Sequence, residues 1–212
     1  MKKYLPIILV VLGVLVLGGV YYFVSNKPKE EVTEEAEKVA EITLEDRPFT
    51  SLSPFEDDQG CVELKMKIAS IKVQAKTLDY ELLYDLSNGS TQGVPGTLDL
   101  AGGEEIERDL LIGSESSGRK RCDEGVERGT LTLRFRDDKG KLVGKLSTEF
   151  HLQSDTKDLT SVDGKFSYTL DKKPSKTWFV TMETFGVPLV EETLPTVASG
   201  PYGVFSTSLS AF

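Results

Sequence analysis

The chain has 212 residues, 28% of them charged and 39% hydrophobic, with 34 acidic against 25 basic side chains and a net charge of −9. That acidic balance argues against a sequence-independent grip on phosphates, so no nucleic acid partner is expected. One histidine and two cysteines are too few for a closed zinc site. No phosphate-loop, dinucleotide-binding or G-x-S-x-G string suggests a cofactor or an activated serine, and none is expected.

Tyr4 to Val24 carry no charge, and as a helix they would span about 31 Å against a hydrocarbon core of about 30 Å. Pro6 falls in the first turn, where its missing N–H does no harm. Tyr21, Tyr22 and Phe23 crowd the far end as an interfacial aromatic belt does. Lys2 and Lys3 with Gly18-Gly19 would also suit a cleaved signal peptide, but no A-x-A pattern follows and the apolar run continues to Val24. Residues 1–24 are therefore expected to form a short cytoplasmic tail and a transmembrane anchor. The C-terminal domain would be extracytoplasmic, since long domains translocate largely regardless of flanking charge.

Residues 25–47 hold eight acidic and four basic side chains, with Val32, Ala36, Val39 and Ala40 as a thin helical stripe. This composition predicts a solvated acidic stalk, extended by its own charge.

From Pro48 the apolar period becomes two. CVELKMKIASIKVQ places Val62, Leu64, Met66 and Ile68 on one face, then shifts phase at Ala69-Ser70. The same alternation runs through LDYELLY, TLTLRFR and LVGKLSTEFHL, with turn signals at 87–90, 101–104 and 137–140. Strands are expected at 49–53, 62–74, 78–85, 95–100, 106–112, 129–136 and 142–153. Such a series without amphipathic helices predicts an all-β, antiparallel two-sheet sandwich over residues 48–153.

KMKIASI with YELLY, and TLTLRFR with KLSTEFHL, resemble the B, C, F and G strands of immunoglobulin-like and fibronectin type III domains. The whole is similar to membrane-anchored proteins of small-genome bacteria built from one N-terminal helix and such a sandwich. The chain departs from the antibody pattern in having neither a core tryptophan in the third strand nor a cysteine pair inside the strands, and the resemblance carries over no functional residue.

With strand directions alternating, the second and sixth strands start at one end of the sandwich. Cys61 immediately precedes the second, and Cys122 lies in the long 113–129 loop feeding the sixth. A disulfide between them is expected, with Cα atoms about 4.4 to 6.8 Å apart, worth about 4 kcal/mol in the chain-entropy model. The alternative is a free Cys122 whose thiolate Arg119, Lys120 and Arg121 would favour. That basic triplet reads either as a solvated loop or as an anion contact, its field weakened by Asp123, Glu124 and Glu127.

His151, between Phe150 and Leu152, is expected at the surface or the rim. Ser117-x-x-Lys120 and Ser154-x-x-Lys157 match the S-x-x-K string of penicillin-recognising enzymes, but both fall outside any helix that could carry the nucleophile. Asp57-Asp58, Asp137-Asp138 and Asp163 lack calcium-loop spacing. Beyond Ser154, DGKFSYTLDKKPSKTWFVTM reads as a hairpin that sets Phe166, Tyr168 and Leu170 against Trp178, Val180 and Met182. Residues 186–212 read as an irregular strap or an apolar partner-binding tail, the whole of 154–212 packing on the sandwich.

The sequence thus predicts a non-enzymatic, membrane-anchored extracytoplasmic sandwich presenting a surface to a protein partner, as a subunit of an envelope assembly. The alternative is a small-ligand or anionic-polymer binder using Arg119, Lys120 and Arg121.

Overall fold

The two-residue period that starts at Phe49 becomes strand after strand in the computed structural model of the protein, which describes residues 41–100, 105–188 and 200–208. In chain order these are β1 (Phe49–Glu56), β2 (Val62–Ala69), β3 (Thr77–Asp85), β4 (Thr91–Asp99), β5 (Ile106–Leu111), β6 (Gly113–Ser116) and β7 (Arg119–Cys122). They are followed by β8 (Arg128–Arg136), β9 (Leu142–Ser154), β10 (Asp158–Thr160), β11 (Ser167–Thr169), β12 (Trp178–Glu183) and β13 (Tyr202–Ser206). Every pairing is antiparallel. One sheet has the order β1-β2-β5 and the other β13-β12-β9-β8-β3-β4, while β6-β7 and β10-β11 form two-stranded sheets of their own.

Alternate residues of both main sheets meet in one core. Leu52, Leu64, Met66, Ile68 and Leu110 come from the smaller sheet; Leu78, Leu82, Leu131, Leu133, Phe135, Phe150, Val180 and Met182 come from the larger. This is the two-layer solution for sheets with one apolar face each, an all-β antiparallel sandwich. The apolar stretch 4–24 and most of the stalk lie outside the described residues. Among the described residues no helix is long and apolar enough to cross a membrane.

The last residues assigned to the stalk are part of the folded unit. Ile42, only 9% exposed, joins the core and lies where a side chain on Gly144 would collide with it. Arg47 donates from Nε to the Ile42 carbonyl at 3.1 Å, and Lys72 donates to the Glu45 carbonyl at 2.7 Å.

Strand ends also differ from expectation. β2 stops at Ala69 because Ser70 turns the chain with φ 58°, although Ile71, Val73 and Ala75 still pack on the core. β4 runs over Thr91–Asp99 rather than 95–100. The hairpin expected between Phe166–Leu170 and Trp178–Met182 is replaced by two other pairings, β10 with β11 and β9 with β12. The cause is two-sided burial: Phe179, Val180, Thr181 and Met182 are all buried. Val180 and Met182 face the main core, and Phe179 meets Leu159 and Leu170 on the opposite side in a second small cluster. An isolated hairpin offers only one covered face, so β12 extends the large sheet and β10-β11 folds over its outer surface. The irregular strap expected near the C-terminus contains a regular strand, β13, paired with β12.

Candidate functional site

The segment 113–129 is not a long loop. Its first ten residues make the β6-β7 hairpin, with Ser117 and Gly118 at the tip. Both have positive φ, 53° and 75°, the combination a two-residue hairpin turn with native twist requires. Gly113 opens the hairpin at φ 151°, and a Cβ there would lie 2.2 Å from the Arg121 carbonyl oxygen. Only glycine allows the two chains to approach this closely.

Alternation along β7 divides the basic triplet. Arg119 and Arg121 are exposed, while Lys120 and Cys122 are partly buried. Cys122 forms the disulfide with Cys61, Cα to Cα 5.4 Å. Lys120 reaches across to the turn between β1 and β2. Its ammonium is 2.7 Å from Asp57 Oδ2 and also contacts Glu63 Oε1, and its backbone N–H donates to Gln59 Oε1 at 3.2 Å. Glu63 is only 4% exposed, a position in which a carboxylate needs a paired cation. The Lys120 hydrogen bond, helped by the backbone N–H groups of Cys61 and Gln59, lowers the Asp57 carboxyl to about 2. Asp57 and Glu63 in turn hold the Lys120 ammonium above its ordinary value. The sequence pointed to Asp123, Glu124 and Glu127 as the charges opposing the triplet; Asp57 and Glu63, from a distant part of the chain, are the ones in contact.

Asp123 has a different task. It accepts from the buried Tyr84 hydroxyl at 2.9 Å, and its backbone N–H donates to the Ile112 carbonyl at 3.0 Å. Burial, then the Asp123 carboxylate, pushes the Tyr84 hydroxyl well above the usual phenol range. The hairpin is thus fixed at its base by Asp123 and along its inner face by Lys120 and the disulfide. Its outer face presents Arg119 and Arg121 at one end of the sandwich. The structure does not bring all three basic side chains to one anion.

His151 is half-buried on the outer face of β9, and its Nδ1 is 2.7 Å from the Thr160 carbonyl. A carbonyl only accepts, so Nδ1 carries the proton and a neutral ring keeps its lone pair on Nε2. The ring lines an open groove of about 560 Å³ with Asp85, Ser87, Glu127, Arg128 and Ser161; Arg128 is paired to Asp85 at 3.2 Å. Asp57, Asp137 and Asp163 each accept backbone N–H groups of their own turns. Among the described residues no three His, Cys, Asp or Glu side chains gather as a metal site. Ser117 lies in the hairpin turn and Ser154 ends β9, so neither S-x-x-K match sits on a helix.

Comparison of the chain with family models, with curated proteins and with solved structures finds no match.

Proposed function

We propose that the protein is a non-enzymatic, membrane-anchored β-sandwich that stands outside the cytoplasm and offers the outer face of its cross-linked hairpin to a protein partner in an envelope assembly. The observation that carries this reading is the fixation of β6-β7. A disulfide, a doubly paired lysine and a buried tyrosine–aspartate hydrogen bond hold ten residues whose outer face makes no comparable attachment to the other described residues. Preorganising an exposed element removes the ordering cost that a partner would otherwise have to offset. The disulfide also favours an oxidising compartment, in keeping with the apolar and acidic segments at the N-terminus. The sheet orders β1-β2-β5 and β9-β8-β3-β4 support the likeness to immunoglobulin-like and fibronectin type III domains.

The test is affinity capture of the intact protein from its own membranes in mild detergent, beside the double variant Arg119→Glu, Arg121→Glu, with Lys120 untouched. Loss of the co-purifying proteins in the variant supports the reading, and unchanged capture sinks it. The exposed guanidinium groups also favour a second reading, an anionic-polymer contact. That reading requires retention on a polyanion matrix which falls steeply with salt and disappears in the same variant.

A further inference from the structure

The four edges of the two main sheets are not treated alike. An edge strand presents unpaired N–H and C=O groups, and soluble proteins blunt such edges with proline, charge or a covering segment. On β1 the Thr50 N–H is taken by the Thr184 carbonyl, and Phe49 bridges Phe185. Farther along, Pro54 has no N–H to offer on that side. On β4, the bond from Leu86 N–H to the Ser90 carbonyl sets the register, which turns the ring nitrogen of Pro95 outwards. On β5 the central residues are Glu107, Arg108 and Asp109.

β13 has neither proline nor charge within the strand, and its one close neighbour from the facing sheet among the described residues is β1, which packs alongside without joining its ladder. Its bonds to β12 are set by Thr184 N–H to the Pro201 carbonyl and Thr207 N–H to the Trp178 carbonyl. In that register the N–H and C=O groups of Tyr202, Val204 and Ser206 point away from the sheet. Among the described residues no strand lies beyond β13. From Gly200 to Ser208 the chain has no charge, and the one proline, Pro201, precedes the strand.

We infer that this edge pairs with the same edge of a second copy of the chain, β13 against β13 in antiparallel register centred on Val204. The strand is complementary to itself: Val204 meets Val204, Tyr202 meets Ser206, and all of these residues have their bonding groups turned outwards, as an antiparallel narrow pair demands. Each copy has a net charge of −9, so association is favoured where uncharged surfaces meet, and the 200–208 stretch provides one. The edge is also supported from behind. The Tyr202 hydroxyl donates to Asp163 at 2.6 Å, its ring stacks on Phe166 with centroids 5.7 Å apart, and Val204 rests on the small cluster of Leu159, Leu170 and Phe179. The strand is therefore held ready in extended form. This pairing is independent of the hairpin partner proposed above.

The test uses the full chain in detergent and in native membranes, with Val204→Cys and a short thiol-reactive cross-linker. Both native cysteines are in the disulfide, so the introduced thiol is the reactive one. A covalent product of twice the chain mass is expected, absent when the thiol is placed at exposed Leu83 instead. Val204→Pro, in an otherwise native chain, removes the central outward donor as Pro95 does on β4 and should return the protein to monomer; Ser206→Lys, milder for the fold, should weaken the dimer at least tenfold. The inference is overturned by a monomeric native protein, by cross-links to a different protein alone, or by a dimer that both substitutions leave intact. Slow amide exchange at Val204 in a monomer would mean that the chain covers its own edge, and that too overturns it.

Discussion

Lys120 neutralises two carboxylates that the fold has largely withdrawn from water, so its removal should be felt through them. Replacing it with methionine keeps the stem and deletes the charge, leaving Asp57 and Glu63 unpaired; the variant should be less stable than the native protein at neutral pH. The acid response fixes the sign. Asp57 has a folded value of about 2 against 3.8 for the free side chain, so its contribution is fully present above about pH 4 and is lost as the pH falls towards 2. Urea unfolding in steps from pH 6 to pH 2 should show this loss in the native protein and a flatter acid limb in Lys120→Met. An unchanged acid limb would remove Lys120 as its cause. For the neighbouring disulfide, Cys122→Ser should cost about 2 to 4 kcal/mol and make the bonds after Arg119, Lys120 and Arg121 markedly easier for trypsin to cut.

Among the elements, β12 shows most clearly what could be read from the chain. Its apolar residues were visible in WFVTM, but their burial on both faces was not, because period two reveals alternation and Phe179, Val180, Thr181 and Met182 do not alternate. β6 and β7 were missed for another reason: Ser-Gly is a turn signal, but four-residue arms of polar and charged side chains carry no apolar pattern, and what fixes them comes from Asp57, Gln59, Cys61 and Glu63. The cysteine pairing was legible because it needed only strand direction, which alternates in any antiparallel order. The lysine's carboxylate partners, some 60 residues away in sequence, were not. The small cluster beneath β10-β11 gives this level its own prediction. Leu159→Ala should cost about 2 to 5 kcal/mol if that hairpin unfolds with the whole. If instead it opens locally, amide protection should fall over residues 158–170 and stay unchanged in β2, β3 and β8. Full protection in both places would mean that Leu159 contributes nothing to holding the hairpin.

At the scale of the molecule, the folded unit starts before the first strand. Removal of residues 1–40 should leave a soluble, β-rich domain that unfolds cooperatively. Removal of residues 1–47 also takes Ile42 out of the core and breaks the Arg47 and Lys72 hydrogen bonds, so the shorter form should melt measurably lower. Equal melting temperatures for the two truncations would show that residues 41–47 lend no stability, and a helical far-ultraviolet spectrum of either would refute the sandwich.

The Cys61–Cys122 bond also determines how the molecule would transmit a mechanical load. Its cysteines are 61 positions apart, so a pull applied between the N-terminal side and the tip of β6-β7 bypasses the enclosed chain, including β2, β3, β4 and β5. Force passes from β1 through Cys61 directly into the hairpin. At about 3.4 Å per residue, about 200 Å of contour is withheld from extension. Under tension the oxidised protein loads only β1 and the β7 arm of the hairpin along this path, whereas reduction adds the enclosed segment to the same connection.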